Sequence, residues 1–166
     1  MQVLEWSRLS DLRGNKTFED LSRSAEKHLL SPMPKEFEPF PGLVGTKLDV
    51  VTGWFKDTSG GWGGSGDSFY EYLIKMFLYD PKTFEHYKDR WVQAAESTMK
   101  HLASSPQGLP QITFLGKFAD IRPIPESGHM ECFAGGNFLL AGQLLGEQKY
   151  TDFGLVSYSH CALRFD

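Results

Sequence analysis

The sequence has no long apolar run, no excess of basic charge and few cysteines. None of its apolar stretches approaches the roughly 20 residues that a membrane-spanning helix needs. Its formal net charge is −4, so it offers no polybasic surface, and nucleic acid and anionic membranes are poor partners. Its two cysteines, Cys132 and Cys161, do not decide the redox compartment by themselves. No secretory signal peptide is recognised at the start of the sequence.

Two further absences narrow the fold and the function. The glycines between residues 60 and 66 are not followed by Lys-Ser or Lys-Thr, so a phosphate-binding loop is excluded. No repeat with a period of 20 to 50 residues is visible, so a solenoid is not indicated. The 166 residues suit one domain or a piece of one, and 40% apolar with 14% aromatic residues can build a core.

Apolar residues at helical spacing predict a mainly α-helical chain. The predicted helices are 3–12, 17–31, 67–79, 83–102, 133–145 and 151 to the chain end. The first two form an antiparallel hairpin, and a weak capping box of Thr17 and Asp20 starts the second. Thr83 is expected to cap the fourth helix. An aromatic stripe along the fourth helix, including Phe84, Tyr87 and Trp91, is interpreted as core.

Short β-structure is expected between the helices. Residues 31–42 form a proline-rich extended connector. Segments 43–46 and 49–54 are rich in β-branched residues and predict a small hairpin, while 111–115 and 118–121 predict two more short strands.

Residues 60–75 carry the strongest functional signal. A glycine-rich turn leads into Asp67, and an apolar helical segment carries Glu71 one turn later. Because positions i and i+4 share one face of a helix, both carboxylates point the same way. Aromatic residues flank the pair in the sequence: Trp62, Phe69 and Tyr70. Paired carboxylates with aromatic walls suit carbohydrate, whose hydroxyls need acceptors and whose C–H faces pack on rings.

A structural interpretation competes with this functional one, and the bare pattern favours it. An aspartate after glycine at a helix start is usually an N-cap, and a first-turn glutamate complements the helix dipole. The glycines can supply positive φ in an ordinary turn. A lone histidine after glycine, such as His129, is more often an exposed turn residue than a functional one.

Four sequence blocks resemble class I α-1,2-mannosidases, glycoside hydrolase family 47, in order and spacing. They are VLEWSRLSDLRGN, EPFPGLVGT, GGWGGSGDSFYEYLIKMFLYDP and SGHMECFAGGNFLLAG. The similarity covers nearly the whole chain and is nearest to fungal secreted or Golgi-type members. It implies a partial α/α toroid, a segment of the seven-hairpin barrel, with short β-hairpins.

The resemblance also implies site residues. Asp67 matches an essential acidic residue of the family's active site, and Glu71 matches a glutamate of the sugar-binding cavity. Glu5 matches another glutamate that lines this cavity. His129 matches a histidine near the reacting sugar, which raises it above an ordinary turn residue. The implied reaction is the removal of α-1,2-linked mannose from high-mannose N-glycans with inversion.

The resemblance also leads us to expect calcium binding, a secretory location, a disulfide and a glycan. The family uses calcium, whose threonine ligand has no counterpart in this chain. The fungal members pair cysteines at the positions of Cys132 and Cys161, which implies a disulfide and the secretory pathway. Asn15 begins an Asn-Lys-Thr glycosylation sequon, which also favours the secretory pathway. Ser65 stands where the endoplasmic-reticulum-type members place an arginine, which implies broader glycan specificity.

The chain also departs from the family pattern. Full catalytic domains of the family are far longer, and motifs that supply a candidate acid and the expected base have no match here. The resemblance therefore implies that residues 1–166 are a central segment of a single catalytic domain. Two alternatives stay open: a catalytically incomplete remnant that binds glycan without hydrolysis, and a helical piece that only packs against missing helices.

Overall fold

The chain is mainly α-helical, as the sequence predicts. The computed structural model describes residues 2–109 and 111–162, with side chains described as far as residue 157. Its helices are α1 (Val3–Arg13), α2 (Thr17–Leu30), α3 (Asp67–Tyr79), α4 (Glu85–Ser97), α5 (Phe133–Leu145) and α6 (Gln148–Ala162). Within the described ranges, no helix is both long and apolar enough to cross a membrane.

The predicted helix ends are largely confirmed. Gly14 and Gly146 follow α1 and α5 in left-handed conformation, with φ of 63° and 68°, because glycine adopts this region without a steric penalty. The fourth predicted helix divides in two, since a π-helical turn, Thr98–Leu102, continues α4. The sixth helix begins three residues before the predicted Thr151.

Both predicted helix caps are wrong, because a nearby Asn or Asp takes the capping bond. Thr17 donates from its hydroxyl to Asn15 Oδ1 at 2.7 Å and from its amide at 3.0 Å. Thr83 donates from its hydroxyl to Asp80 Oδ2 at 2.7 Å. In each case the Asn or Asp side chain earlier in the turn is the acceptor.

The strands form two small antiparallel sheets. In one, β1 (Ser59–Gly61) pairs with β4 (Lys117–Ala119), which pairs with β5 (Arg122–Ile124). In the other, β2 (Ala103–Ser104) pairs with β3 (Phe114–Leu115). The strands predicted at 111–115 and 118–121 are therefore present but shorter. β5 contains Pro123, which fits because β5 is an edge strand and needs no inward amide there.

The hairpin predicted from segments 43–46 and 49–54 is wrong. An isolated bridge joins Leu48 to Phe55, and the residues between them form a turn. The Asp49 carboxylate accepts the amides of Val51 and Thr52, each at 3.0 Å. The β-branched residues therefore lie at an exposed turn tip, where Val51 is 90% exposed.

The core is aromatic and lies between α3, α4, α5 and α6. The predicted stripe on the fourth helix is confirmed, since all of its residues are buried: Phe84, Tyr87, Trp91, Ala94, Ala95, Thr98 and Leu102. The α5 and α6 helices approach closely at Gly142, where a Cβ would lie 2.2 Å from Thr151 Oγ1. A larger residue at position 142 would separate the two helices.

Candidate functional site

A cleft at the start of α3 brings together three of the predicted site residues. It has a volume of about 290 Å³, and six residues line it: Asp67, Ser68, Glu71, His129, Met130 and Phe133. The first three come from α3, and the others come from the segment that enters α5. The fold therefore brings His129 to the two carboxylates from a distant part of the sequence.

The glycine turn before α3 fixes the position of Asp67. Gly66 occupies the N-cap position, so Asp67 is the first helical residue, and the predicted N-cap role is wrong. The Asp67 carboxylate accepts the Ser68 amide at 2.8 Å and lies where unpaired amides at the helix start favour negative charge. Its backbone amide donates to Gly63 O at 3.0 Å, which anchors the residue to the turn.

Two glycines of this turn, Gly63 and Gly66, serve close packing rather than positive φ. In the turn before Asp67 the left-handed residue is Ser65, with φ of 78°, and not a glycine. A Cβ at Gly66 would lie 2.3 Å from Gly61 O, and a Cβ at Gly63 would lie 2.2 Å from Glu131 Oε1. At these two positions other atoms occupy the space that a side chain would fill.

Glu71 lines the cleft but also has a partner on its own helix. Its Oε1 is 2.5 Å from Lys75 Nζ, one turn further along α3. The side chain is 33% exposed, so this ion pair is screened by solvent and leaves the carboxylate accessible. The cleft therefore contains a neutralised carboxylate, Glu71, beside one without a cationic partner in the described contacts, Asp67.

Glu5 does not line the cleft. It lies exposed on α1 and accepts the phenol O–H of Tyr72, the residue after Glu71. This hydrogen bond is the main cause that raises the pKa of Tyr72 to about 12, because it stabilises the protonated phenol. Glu5 is thus tied to the helix that carries the site, on a neighbouring face.

His129 begins a short 3₁₀ turn, His129–Cys132, directly before α5. Its side chain is exposed at the cleft. Glu131 supports this turn from the protein interior. It is only 4% exposed, and its Oε2 accepts the Gly128 amide at 2.9 Å. The position of His129 therefore depends on a buried carboxylate that sequence reasoning missed.

The aromatic residues that the sequence placed beside the carboxylates are core residues. Three of them are buried: Trp62, Phe69 and Tyr70. Burial raises the pKa of Tyr70 to about 12, and its hydroxyl accepts the Val44 amide at 3.1 Å. The aromatic wall of the cleft is instead Phe133, which lies four residues after His129. That one-turn spacing was the signal that could have identified it.

A second cleft of about 470 Å³ lies on the other side of the glycine turn. Backbone atoms of four glycines contribute to its wall, together with Lys117 and Glu131. Sequence reasoning missed this cleft, because its lining depends on the pairing of β1 with β4. Glu131 contacts both the turn of His129 and this second cleft.

The remaining predicted positions are only partly described. Asn15 is exposed in the turn between α1 and α2. The side chain of Cys161 lies outside the described residues, so the predicted pairing is not described. Among the described side chains, which end at residue 157, no cluster of three from His, Cys, Asp or Glu could hold a metal ion.

Comparisons with known proteins agree on one family. The family model described as Glycosyl hydrolase family 47 matches residues 2–164. The chain is 51% identical over 164 residues to a mannosyl-oligosaccharide alpha-1,2-mannosidase of Penicillium citrinum, covering 99% of this chain and 32% of that protein. It is 52% identical over 159 residues to a mannosyl-oligosaccharide alpha-1,2-mannosidase 1B of Aspergillus phoenicis, covering 96% and 31%.

A solved structure agrees as well. The alpha-1,2-mannosidase from Trichoderma reesei superposes with a TM-score of 0.91 at 52% identity, over 95% of this chain and 32% of that one. This match confirms the predicted fold class, a mainly α segment of that enzyme's fold. The chain spans about a third of the length of the curated relatives it matches.

Proposed function

The chain belongs to glycosyl hydrolase family 47, and we propose that it contributes the Asp67 cleft to an α-1,2-mannosidase that trims high-mannose N-glycans. The observation that supports this most is the convergence of Asp67, Glu71 and His129 on one cleft. These residues match the family motifs in sequence and lie together in space although they come from distant segments.

The lining of the cleft suits a sugar. Asp67 and Glu71 offer carboxylate oxygens to hydroxyl donors, and His129 offers a group that donates or accepts a hydrogen bond. Phe133 offers a ring face or edge on which C–H groups pack. We assign Asp67 the catalytic role and Glu71 and His129 roles in holding the sugar. The sugar-binding role of Glu5 requires the glycan to reach the neighbouring face, where Glu5 is exposed and bonded to Tyr72.

Inverting hydrolysis needs a second carboxyl group from elsewhere. Inverting glycosidases hold their acid and base roughly 6.5–9.5 Å apart, so that a water molecule fits between the base and the sugar. Asp67 and Glu71 lie on adjacent turns, where Cβ atoms are roughly 5–6 Å apart, and Glu71 is paired with Lys75. We therefore propose that Asp67 acts with a carboxylate outside the described residues.

Calcium belongs to the proposal for the family reaction, but these residues alone do not fit it. Calcium takes six to eight oxygen ligands, and the described side chains form no candidate cluster. The ion would need ligands beyond this chain, including the threonine that the resemblance implies. The assignments of Asp67, Glu71 and His129 do not depend on it.

We also propose a disulfide, a glycan and a secretory location for this protein. No cysteine in the described part of the chain is free, and Cys161 is the only other cysteine besides Cys132, which supports a Cys132–Cys161 disulfide. Asn15 is exposed and available for a glycan. Both modifications would accord with the Golgi or secreted location of a glycan-trimming enzyme.

The small, exposed Ser65 supports broad mannose specificity. It is exposed in the turn two residues before Asp67, where the resemblance implies an arginine in the members of narrower specificity.

A second candidate function rests on the contents of the cleft. Beside Asp67, its other carboxylate, Glu71, is paired with Lys75, so the cleft can hold mannose without the acid–base pair that inversion needs. In that case the 166-residue chain binds glycan without hydrolysing it.

The test is binding and release of α-1,2-linked mannobiose by the purified chain, with calcium and with chelator. We expect calorimetry to detect binding that Asp67→Asn weakens about 10-fold or more, because a charged acceptor in the cleft is lost. Asp89→Asn, an exposed aspartate on α4, is the matched control and should bind like the wild type.

The outcomes separate the two functions. Calcium-dependent release of mannose that Asp67→Asn abolishes supports hydrolysis by this chain. Binding without release supports the glycan-binding alternative. Equal binding by Asp67→Asn and the wild type, or no binding at all, would contradict the assignment of this cleft.

A further inference from the structure

Glu131 is a buried carboxylate to which the proposed reaction gives no role. The residue is 4% exposed, and its Oε2 accepts the Gly128 amide at 2.9 Å. Its Oε1 lies 4.0 Å from Lys117 Nζ on β4. A buried carboxylate is costly unless such partners compensate its charge, so this arrangement fixes the side chain in one place.

The same carboxylate fills a gap in the glycine turn. A Cβ at Gly63 would lie 2.2 Å from Glu131 Oε1 and 2.6 Å from its carboxyl carbon. Gly63 does not have positive φ, so its backbone conformation alone would accept alanine. An alanine at position 63 would therefore require the carboxylate of Glu131 to shift.

These contacts connect the two sides of the Asp67 cleft, the glycine turn and the turn of His129. On one side, Gly63 O accepts the amide of Asp67 at 3.0 Å. On the other side, Glu131 lies in the same 3₁₀ turn as His129. Only one side chain therefore separates the backbone that holds Asp67 from the turn that presents His129.

We propose that Glu131 is a positioning residue that sets the separation of His129 and Asp67 across the cleft. Its carboxylate spaces the His129 turn from the glycine turn, and Lys117 holds that carboxylate from the sheet. The inference rests on the proposed function, because that function gives the cleft its role. The contact between Glu131 and Gly63 does not depend on it.

The first test follows the His129 imidazole in chains labelled with ¹³C-histidine. The His129 signal is assigned with His129→Gln, and Glu131→Ala is compared with Glu131→Gln. We expect Glu131→Ala to shift the His129 signal and to leave His28 and His86 unchanged. Glu131→Gln should largely restore the signal, because its amide oxygen still accepts the Gly128 N–H. Glu126→Ala, an exposed residue of the same segment, is the control.

The second test moves the carboxylate without removing it. Gly63→Ala should weaken mannobiose binding about 10-fold or more, because its Cβ pushes Glu131 and changes the geometry of the cleft. Gly64→Ala is the matched control, since no atom lies within 4 Å of its Cβ position. In a Glu131→Ala background the space is free, so Gly63→Ala should add less than about a 2-fold effect.

The inference is overturned if Glu131→Ala leaves the His129 signal in place, or if Gly63→Ala shifts it no more than Gly64→Ala does. If Glu131→Ala fails to fold, Glu131→Gln and the two alanine variants still decide the question. If no chain binds mannobiose, the proposed function fails. The imidazole signals then still report whether Glu131 positions His129.

Discussion

Two regions of this molecule are held together by different kinds of contact. The hairpin of α1 and α2 is joined to α3 and α4 by three phenol–carboxylate hydrogen bonds. In each of them a tyrosine of the larger region donates to a carboxylate of the hairpin: Tyr72 to Glu5, Tyr79 to Asp11 and Tyr87 to Glu26. Apolar contact adds to these bonds, since Val3 is buried in the core and Leu4, Leu29 and Leu30 pack against it.

The region from α3 to α6 is held by packed aromatic rings. The Trp91 ring contacts those of Phe138 and Tyr150, with centroids 5.3 and 5.0 Å apart. Its indole N–H donates to Asn137 Oδ1 at 2.7 Å. Trp62 stacks on Tyr70 at 4.6 Å. Its buried aromatic area makes this the more stable region.

The hairpin also leaves apolar side chains in solvent. Leu12 and Leu21 are 67% and 66% exposed, and Trp6 is 39% exposed. Trp6 contributes to an open groove of about 400 Å³ between α1 and α2. Polar bonds thus fix the orientation of the hairpin, while the aromatic region supplies most of the stability. The hairpin should therefore open first.

The largest expected effect is on the aromatic region. Trp91→Ala should lower the free energy of unfolding by about 3–5 kcal/mol, because it empties a fully buried site and leaves Asn137 unpaired. Urea unfolding followed by circular dichroism measures this change. Trp54→Ala, at a half-exposed turn residue, should cost no more than about 0.5 kcal/mol. Equal effects of the two variants would contradict the assignment of stability to the buried aromatic residues.

An intermediate effect is expected at Glu26, where the hairpin meets α4. Burial raises the pKa of Glu26 to about 7, although the hydrogen bond from Tyr87 and the charge of Arg23 oppose that shift. The folded chain therefore keeps a proton that the unfolded chain releases above about pH 4.5. The free energy of unfolding should fall as the pH rises from 4.5 to 7, by up to roughly 3 kcal/mol.

Glu26→Gln tests this dependence, because glutamine is uncharged at every pH. The variant should lose this part of the slope in urea unfolding measured between pH 4.5 and 8. Glu85→Gln, an exposed change on α4, should keep it. An unchanged slope in Glu26→Gln would show that Glu26 is not the titrating group.

The smallest effect is expected at the two partly exposed phenol bonds. Tyr72→Phe and Tyr79→Phe should each lower the free energy of unfolding by about 0.5–1.5 kcal/mol, because each removes one hydrogen bond to a carboxylate. Hydrogen exchange should show faster opening of amides in α1 and α2 than in α5. Leu78→Ala, an exposed change on the same helix, should leave the exchange of both regions unchanged.

Local patterns in the sequence predicted the helices and their core faces well. The bounds of α3 and α5 match the prediction, and the stripe on α4 is buried as expected. Apolar periodicity and terminal glycine act within a few residues, so they can be interpreted without the fold. The failures at Thr17, Thr83 and the 43–54 segment arose where two local options compete, and neighbouring Asn15, Asp80 and Asp49 decided the outcome.

The candidate site, too, was predicted from the sequence only in part. The sequence by itself determined that Asp67 and Glu71 share one face of a helix, because i,i+4 spacing has one geometry. The family motifs added His129 and Glu5. Only the tertiary structure decided that His129 meets the carboxylates, that Phe133 replaces Trp62 as the aromatic wall, and that Glu5 lies on a neighbouring face.

The physical reason is the range of the forces involved. Helix formation depends on residues one turn apart, so the sequence is sufficient to predict it. The cleft depends on how closely two distant backbones approach, and that distance is set by packing at Gly63, Gly66 and Glu131. A glycine in the sequence is compatible with close packing, but only the fold shows which atom lies against it.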